Sequence, residues 1–124
     1  MKILIADKFP DQYVEKIKSI GDVVYDAKLK ESDLPSSIKD ADVLVVRSTV
    51  VNEECINNSN KLSLIIRAGA GVNNINIKAA NKKGIYVANC PGKNSIAVAE
   101  LAMGLICAID RRIPDNVIDF KNGK

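Results

Sequence analysis

Two arginines stand where a parallel sheet would put them to work on an anion. Val43-Leu44-Val45-Val46 runs into Arg47-Ser48-Thr49, and Leu64-Ile65-Ile66 runs into Arg67-Ala68-Gly69-Ala70-Gly71-Val72. Short apolar runs of this kind read as strands covered on both faces, so each arginine falls at a strand's carboxyl end. Open parallel sheets bind ligands beyond those ends. If the two strands are neighbours, the two guanidinium groups can converge on one carboxylate or phosphate with forked geometry. Gly69 and Gly71 would bring backbone N–H groups close to the same anion without side-chain obstruction. A lone strand-end arginine is more often a surface charge, and a turn glycine more often only supplies φ > 0. The two features together point to an anion site.

A third segment, Asn89-Cys90-Pro91-Gly92-Lys93-Asn94-Ser95, follows Ile85-Tyr86-Val87-Ala88. Pro91-Gly92 fixes a turn. Asn94 or Ser95 then caps a long helix, whose orphan amides make a second polar edge. The glycines at 69 and 71 are not a dinucleotide fingerprint: G-x-G-x-x-G would need glycine where Asn74 stands, and no carboxylate lies about 20 positions on. Gly92-Lys93 is not a phosphate-binding P-loop, because it lacks the upstream glycine and is followed by Asn94.

The composition removes other chemistry. The chain has no His, so no imidazole acts as acid, base or metal ligand. Its three cysteines are odd in number and lack C-x-x-C spacing, which argues against a disulfide framework and a zinc site. Free thiols fit a reducing compartment, and the cytoplasm is expected. Cys90 lacks a His partner and reads as a passive loop thiol, Cys107 as core and Cys55 as helix filling. Glu100, alone in an apolar stretch, meets a buried arginine, crosses an interface or lies on a solvated helix edge.

The elements that must position these residues follow from pattern. At 124 residues the chain is the size of one domain, and 47% hydrophobic content with 4% aromatics implies an aliphatic core. Eighteen Lys and Arg against fifteen Asp and Glu are interspersed, so no nucleic-acid partner is expected. The N-terminal apolar run is too short for a signal peptide. The run Leu101–Ile109 is well short of the roughly 20 residues that span a membrane. Strands are predicted at 3–6, 23–25, 43–46, 64–66 and 85–88. Helices are predicted at 11–20, stopped by Gly21, and at 33–39; Asn52 caps one through Ile56, and Asn76 caps one over 77–83, stopped by Gly84. The long helix runs to Arg112, and Pro114 opens a last piece towards Phe120. Five strands with a helix after each predict an α/β fold with a parallel sheet. A flavodoxin-like order is compatible with this pattern, which does not itself specify strand order. Between Ile96 and Ile109 only Glu100 is charged, and small residues (Ala97, Ala99, Ala102, Gly104, Ala108) admit close approach of another backbone. A helix apolar nearly all round should be buried on several sides, so a partner surface is expected.

Taken in order, Val46–Thr49, Ile66–Ile75, Ala79-Ala80, Lys83-Gly84-Ile85, Asn89–Glu100 and Arg111–Pro114 resemble the N-terminal, substrate-side part of the D-2-hydroxyacid dehydrogenases. The resemblance covers the whole chain. It implies a flavodoxin-like sheet of about five strands and NAD-dependent oxidation of a 2-hydroxy acid. It places Arg47, Ser48, Arg67, Gly69, Ala70 and Gly71 at the substrate, with the amides of Ala70 and Gly71 on its carboxylate. Ala70 and Asn94 would face the cofactor. The 95–112 helix would be a dimer element, giving a homodimer or higher. The implied division is 1–93 as substrate-binding domain and 94–124 as long helix and start of a linker. In the family, the nucleotide-binding domain, the catalytic His, its orienting carboxylate and the catalytic Arg follow that helix. These 124 residues are therefore expected to have no dehydrogenase activity alone. Two other readings compete. A phosphoacceptor receiver shares the sheet, but has an Asp where Arg47 stands and needs more acids than Asp7 around its metal. A non-catalytic dimerisation or metabolite-sensing module would use the same helix and loop.

Overall fold

The computed structural model describes all 124 residues, Met1–Lys124. They form two compact units, Met1–Pro91 and Gly92–Lys124. The first unit is built on five strands: β1 (Lys2–Ile5), β2 (Asp22–Tyr25), β3 (Val43–Val46), β4 (Leu64–Arg67) and β5 (Tyr86–Asn89). All pairings are parallel, in the order β2-β1-β3-β4-β5. This is the flavodoxin-like order, in which the chain reverses direction across the sheet between β1 and β3.

Side chains alternate across the sheet and fill two aliphatic cores. Leu4 and Ala6 of the first strand region, Leu44 and Val46 of β3 and Ile65 of β4 face one side. They pack under α2 (Leu34–Ser37), α3 (Glu53–Asn58) and α4 (Ile77–Lys82) through Leu34, Ile38, Cys55, Ile56, Ala79 and Ala80. Ile3, Ile5, Val43 and Val45 face the other side, under Val14 and Ile17 of α1 (Asp11–Lys18). β1 and β3 are buried on both faces, which is why both read as unbroken apolar runs.

Local chemistry sets the helix ends. Asn52 Oδ1 accepts from Cys55 N at 2.9 Å, and Asn76 Oδ1 from Ala79 N at 3.0 Å, so both asparagines are N-caps. Gly84, at φ +70°, follows α4 in the left-handed conformation that favours glycine. Gly21 departs from its predicted part as a helix stop. The helix α1 has already ended at Lys18, and Gly21 is not left-handed. A Cβ there would lie 2.6 Å from the Met1 carbonyl, so glycine lets β2 start against the first residue of the chain. Helix α2 is four residues rather than the predicted 33–39, because the chain turns at Ile38 and Ala41 to enter β3.

The second unit contains α5 (Ser95–Asp110) and α6 (Ile113–Lys121). The sixteen residues of α5 span about 24 Å. None is buried, and Ile96, Leu101, Met103, Ile106 and Ile109 are each at least 60% exposed. Cys107, predicted as core, is exposed with them, because within its own unit α5 has only α6 beside it. The predicted Asn94 cap is not made. Asn94 occupies the N-cap position without a side-chain hydrogen bond, and the Ser95 hydroxyl donates to the Gly92 carbonyl at 2.8 Å. Arg112 joins the helices at φ 50°, the one left-handed non-glycine residue, and Pro114 lies in the first turn of α6. No helix is long and apolar enough to cross a membrane.

Candidate functional site

Strand register brings the predicted residues of the first unit to one edge. Arg47 directly follows β3, Arg67 ends β4 and Asn89 ends β5. Val46 pairs with Arg67, and Arg67 with Asn89. Ile5 of β1 pairs with Val45, so Asp7 emerges beside Arg47. Four neighbouring strands therefore deliver an acid, two bases and an amide to the carboxyl edge.

Asp7 organises the turn after β3. Its Oδ2 accepts from three successive amides, Arg47 N at 2.7 Å, Ser48 N at 3.0 Å and Thr49 N at 3.1 Å. The Thr49 hydroxyl donates to the Ala6 carbonyl at 3.2 Å. Consecutive amides form an anion nest, and here the chain's own carboxylate fills it. The side chains of Arg47 and Ser48 remain exposed.

The loop after β4 is laced to its neighbours. Ala68 N donates to the Val46 carbonyl at 2.8 Å, Gly69 N to the Arg67 carbonyl at 2.9 Å and Cys90 N to the Gly69 carbonyl at 2.9 Å. Asn89 Nδ2 donates to the Ala70 carbonyl at 2.6 Å. Asn74 ties the loop to the β3 side, with Nδ2 on the Thr49 carbonyl at 2.8 Å and its own carbonyl accepting from Val51 N at 2.8 Å. The Asn74 Oδ1 is buried without a partner. The amides of Ala70 and Gly71 take no part in this lacing, and both residues are exposed. They stay available to an anion.

Arg67 lies over this loop. Its Nε donates to the Arg47 carbonyl at 3.0 Å, and its guanidinium occupies the space above Gly69. A Cβ at Gly69 would meet Arg67 Nη1 and fall 2.5 Å from Cζ. Gly69 is thus glycine for the sake of the arginine, not for a left-handed backbone.

The remaining candidates separate from this cluster. Asn94 belongs to the second unit. Burial pushes the Cys55 thiol up to about 12, so it stays protonated and inert. Cys90 and Glu100 are exposed. No group of three His, Cys, Asp or Glu side chains is placed to hold a metal. The residues also do not fit a dinucleotide pyrophosphate. The β1–α1 turn, Ala6-Asp7-Lys8-Phe9-Pro10, has no glycine, and Gly69-Ala70-Gly71 does not open a helix. Sequence reasoning weighed Asp7 only as a metal acid and gave Asn74 and Asn89 no role. The available signal was position: Asp7 and Asn89 each follow a strand, as Arg47 does.

Residues 3–122 match the profile of the D-isomer specific 2-hydroxyacid dehydrogenase catalytic domain. The chain belongs to this family. It is 44% identical over 125 residues to the D-3-phosphoglycerate dehydrogenase of Methanocaldococcus jannaschii, matching 100% of this chain and 24% of that protein. It is 40% identical over 126 residues to the human D-3-phosphoglycerate dehydrogenase, matching 99% of this chain and 24% of that one. The chain thus spans about a quarter of the length of these curated relatives. Among solved structures, the NAD+-bound 3-phosphoglycerate dehydrogenase of Entamoeba histolytica superposes with a TM-score of 0.77 at 39% identity. That match covers 87% of this chain and 38% of the other. In this member of the family, the carboxyl edge carries Arg47, Arg67 and two unengaged amides, and the chain has no imidazole.

Proposed function

We propose that these residues are the substrate-holding part of an NAD-dependent D-2-hydroxyacid dehydrogenase that oxidises 3-phosphoglycerate to 3-phosphohydroxypyruvate, the first step of serine synthesis. The observation that carries this reading is the meeting of Arg47, Arg67 and the unengaged Ala70 and Gly71 amides at one sheet edge. A substrate with a carboxylate and a phosphate needs donors for two anionic groups. The Ala70 and Gly71 amides hold the carboxylate; Arg47 and Arg67 meet the carboxylate or the phosphate with charge-assisted forks. Ser48 borders the site with a free hydroxyl, and Gly69 leaves room for the Arg67 guanidinium.

NAD fits this reading through the relatives rather than through a cradle in this chain. The cofactor supplies hydride acceptance, on a nucleotide-binding domain that these residues do not form; Ala70 and Asn94 border it. Taking the hydroxyl proton needs a base, and the chain has no imidazole. Residues 1–93 act as substrate domain and 94–124 as helix and linker, and the chain alone turns over no substrate. Helix α5 pairs two copies into a homodimer or higher assembly, in the cytoplasm. Calorimetric titration with 3-phosphoglycerate tests the substrate assignment. Binding that weakens at least tenfold in Arg67→Ala supports it, since one charge-assisted pair contributes about 1.5–3 kcal/mol. Equal affinity in wild type and Arg67→Ala overturns it. The exposed apolar surface of α5 favours a second reading, a dimerisation or metabolite-sensing module. Fusion to a nucleotide-binding domain separates the two, because only the dehydrogenase reading yields NADH.

A further inference from the structure

The chain's one direct link between Asp7 and Arg67 is a single peptide group. Ser48 N–H points to Asp7 Oδ2 at 3.0 Å, while the carbonyl of the same peptide unit, that of Arg47, accepts from Arg67 Nε at 3.0 Å. A trans peptide sends its N–H and its C=O in opposite directions, and this chain has no cis bond. Whatever fixes one end of this unit therefore aims the other. Asp7 fixes it firmly, because the same oxygen also accepts from the Arg47 and Thr49 amides on either side. Three amide donors on one carboxylate oxygen leave the turn no freedom to flip.

We propose that Asp7 is a positioning residue for Arg67: its carboxylate pins the Arg47–Ser48 peptide, and that peptide's carbonyl holds the guanidinium over the Gly69 loop. Rotation of the peptide would take the carbonyl from Arg67 Nε and release the guanidinium to solvent. An ionised carboxylate suits the task, since hydrogen bonds to a charged acceptor are roughly twice as strong as neutral ones. The carboxylate also closes the nest. An incoming anion finds the 47–49 amides already taken and is left with the unengaged Ala70 and Gly71 amides of the loop that Arg67 overlies at Gly69. The proposal rests on the substrate-holding reading for its consequence, but its structural content stands apart from it.

The experiment follows the Arg67 Nε–H resonance by 15N NMR in the 124-residue chain, in wild type, Asp7→Asn and Asp7→Ala. The amides of β2, remote from the turn, report that each variant is folded. In wild type the hydrogen bond to the Arg47 carbonyl is expected to slow Nε–H exchange with solvent. Asp7→Ala is expected to raise that exchange rate about tenfold, the loss of one hydrogen bond to a charged group. Asp7→Asn, which keeps an oxygen but not its charge, should fall between. If Asp7→Ala does not fold, Asp7→Asn alone decides the matter. Unchanged Nε–H exchange in a folded variant overturns the proposal. Titration of the same samples with 3-phosphoglycerate separates the two claims. Faster Nε–H exchange with no ligand binding in wild type would sustain the Asp7 relay and overturn the substrate reading. Binding in wild type that weakens about tenfold in Asp7→Ala, alongside the exchange change, supports both.

Discussion

Arg67 and Gly69 depend on one another. The guanidinium occupies the volume that a Cβ at position 69 would claim, and the backbone there is not left-handed. Gly69→Ala should therefore displace the tip of a flexible side chain rather than break the loop. Stability is expected to change by no more than the roughly 0.5 kcal/mol typical of a surface change, while the Arg67 Nε–H signal moves and anion binding weakens. A large loss of stability would instead mean that the loop backbone yields. Cys55 gives a pH signature. Burial holds its thiol at about 12 against an ordinary 9.0. A thiol raised on folding stabilises fully below 9.0, and the contribution is lost as pH climbs towards 12. Urea midpoints should fall over that range more steeply in wild type than in Cys55→Ala, and equal slopes would count against it. The arginines and glycines were legible because two arginines and a glycine pair fall together just after apolar strand runs. Asp7 was read only as a metal acid, because its amide partners at 47–49 are distant in sequence and meet it only when β3 pairs beside β1.

The short helices α2, α3 and α4 hold by their ends as much as by their length. Asn52 and Asn76 cap two of them, and the Lys83 ammonium donates to the Ile56, Asn57 and Ser59 carbonyls at 2.9, 3.0 and 2.8 Å, closing the C-terminus of α3. Asn76→Ala removes an N-cap directly after the anion loop. It should cost about 1 kcal/mol and lower the melting temperature by roughly 4 °C or more, read by circular dichroism. An unchanged melting temperature would show that the loop lacing, not the cap, sets the start of α4. Asparagine before a helix and glycine after it made the α3 start and the α4 ends readable from sequence. Gly21 misled, because its reason is a neighbour twenty positions away, the Met1 carbonyl. Strand order was unreadable for the same cause: parallel pairing is set by crossovers that leave no local mark.

At the scale of the molecule, the two units bury their apolar surface very differently. The first hides its aliphatic residues on both faces of the sheet, whereas α5 exposes Ile96, Leu101, Met103, Ile106 and Ile109. Exposed apolar surface of this kind favours association. Sedimentation should give a dimer or larger species, and Ile106→Glu should shift it towards monomer by placing a charge in the contact. A monomer at high protein concentration in wild type would remove the dimer assignment. The central claim concerns the other unit: that its carboxyl edge is a preformed holder for a phosphorylated hydroxy acid. The direct measurement is a 15N titration of the folded chain with 3-phosphoglycerate. Saturable shifts confined to the Ala70 and Gly71 amides and the Arg47 and Arg67 Nε–H signals, abolished by Arg67→Ala, are the result predicted. Absence of shifts at millimolar ligand, or shifts that persist unchanged in Arg67→Ala, would contradict it.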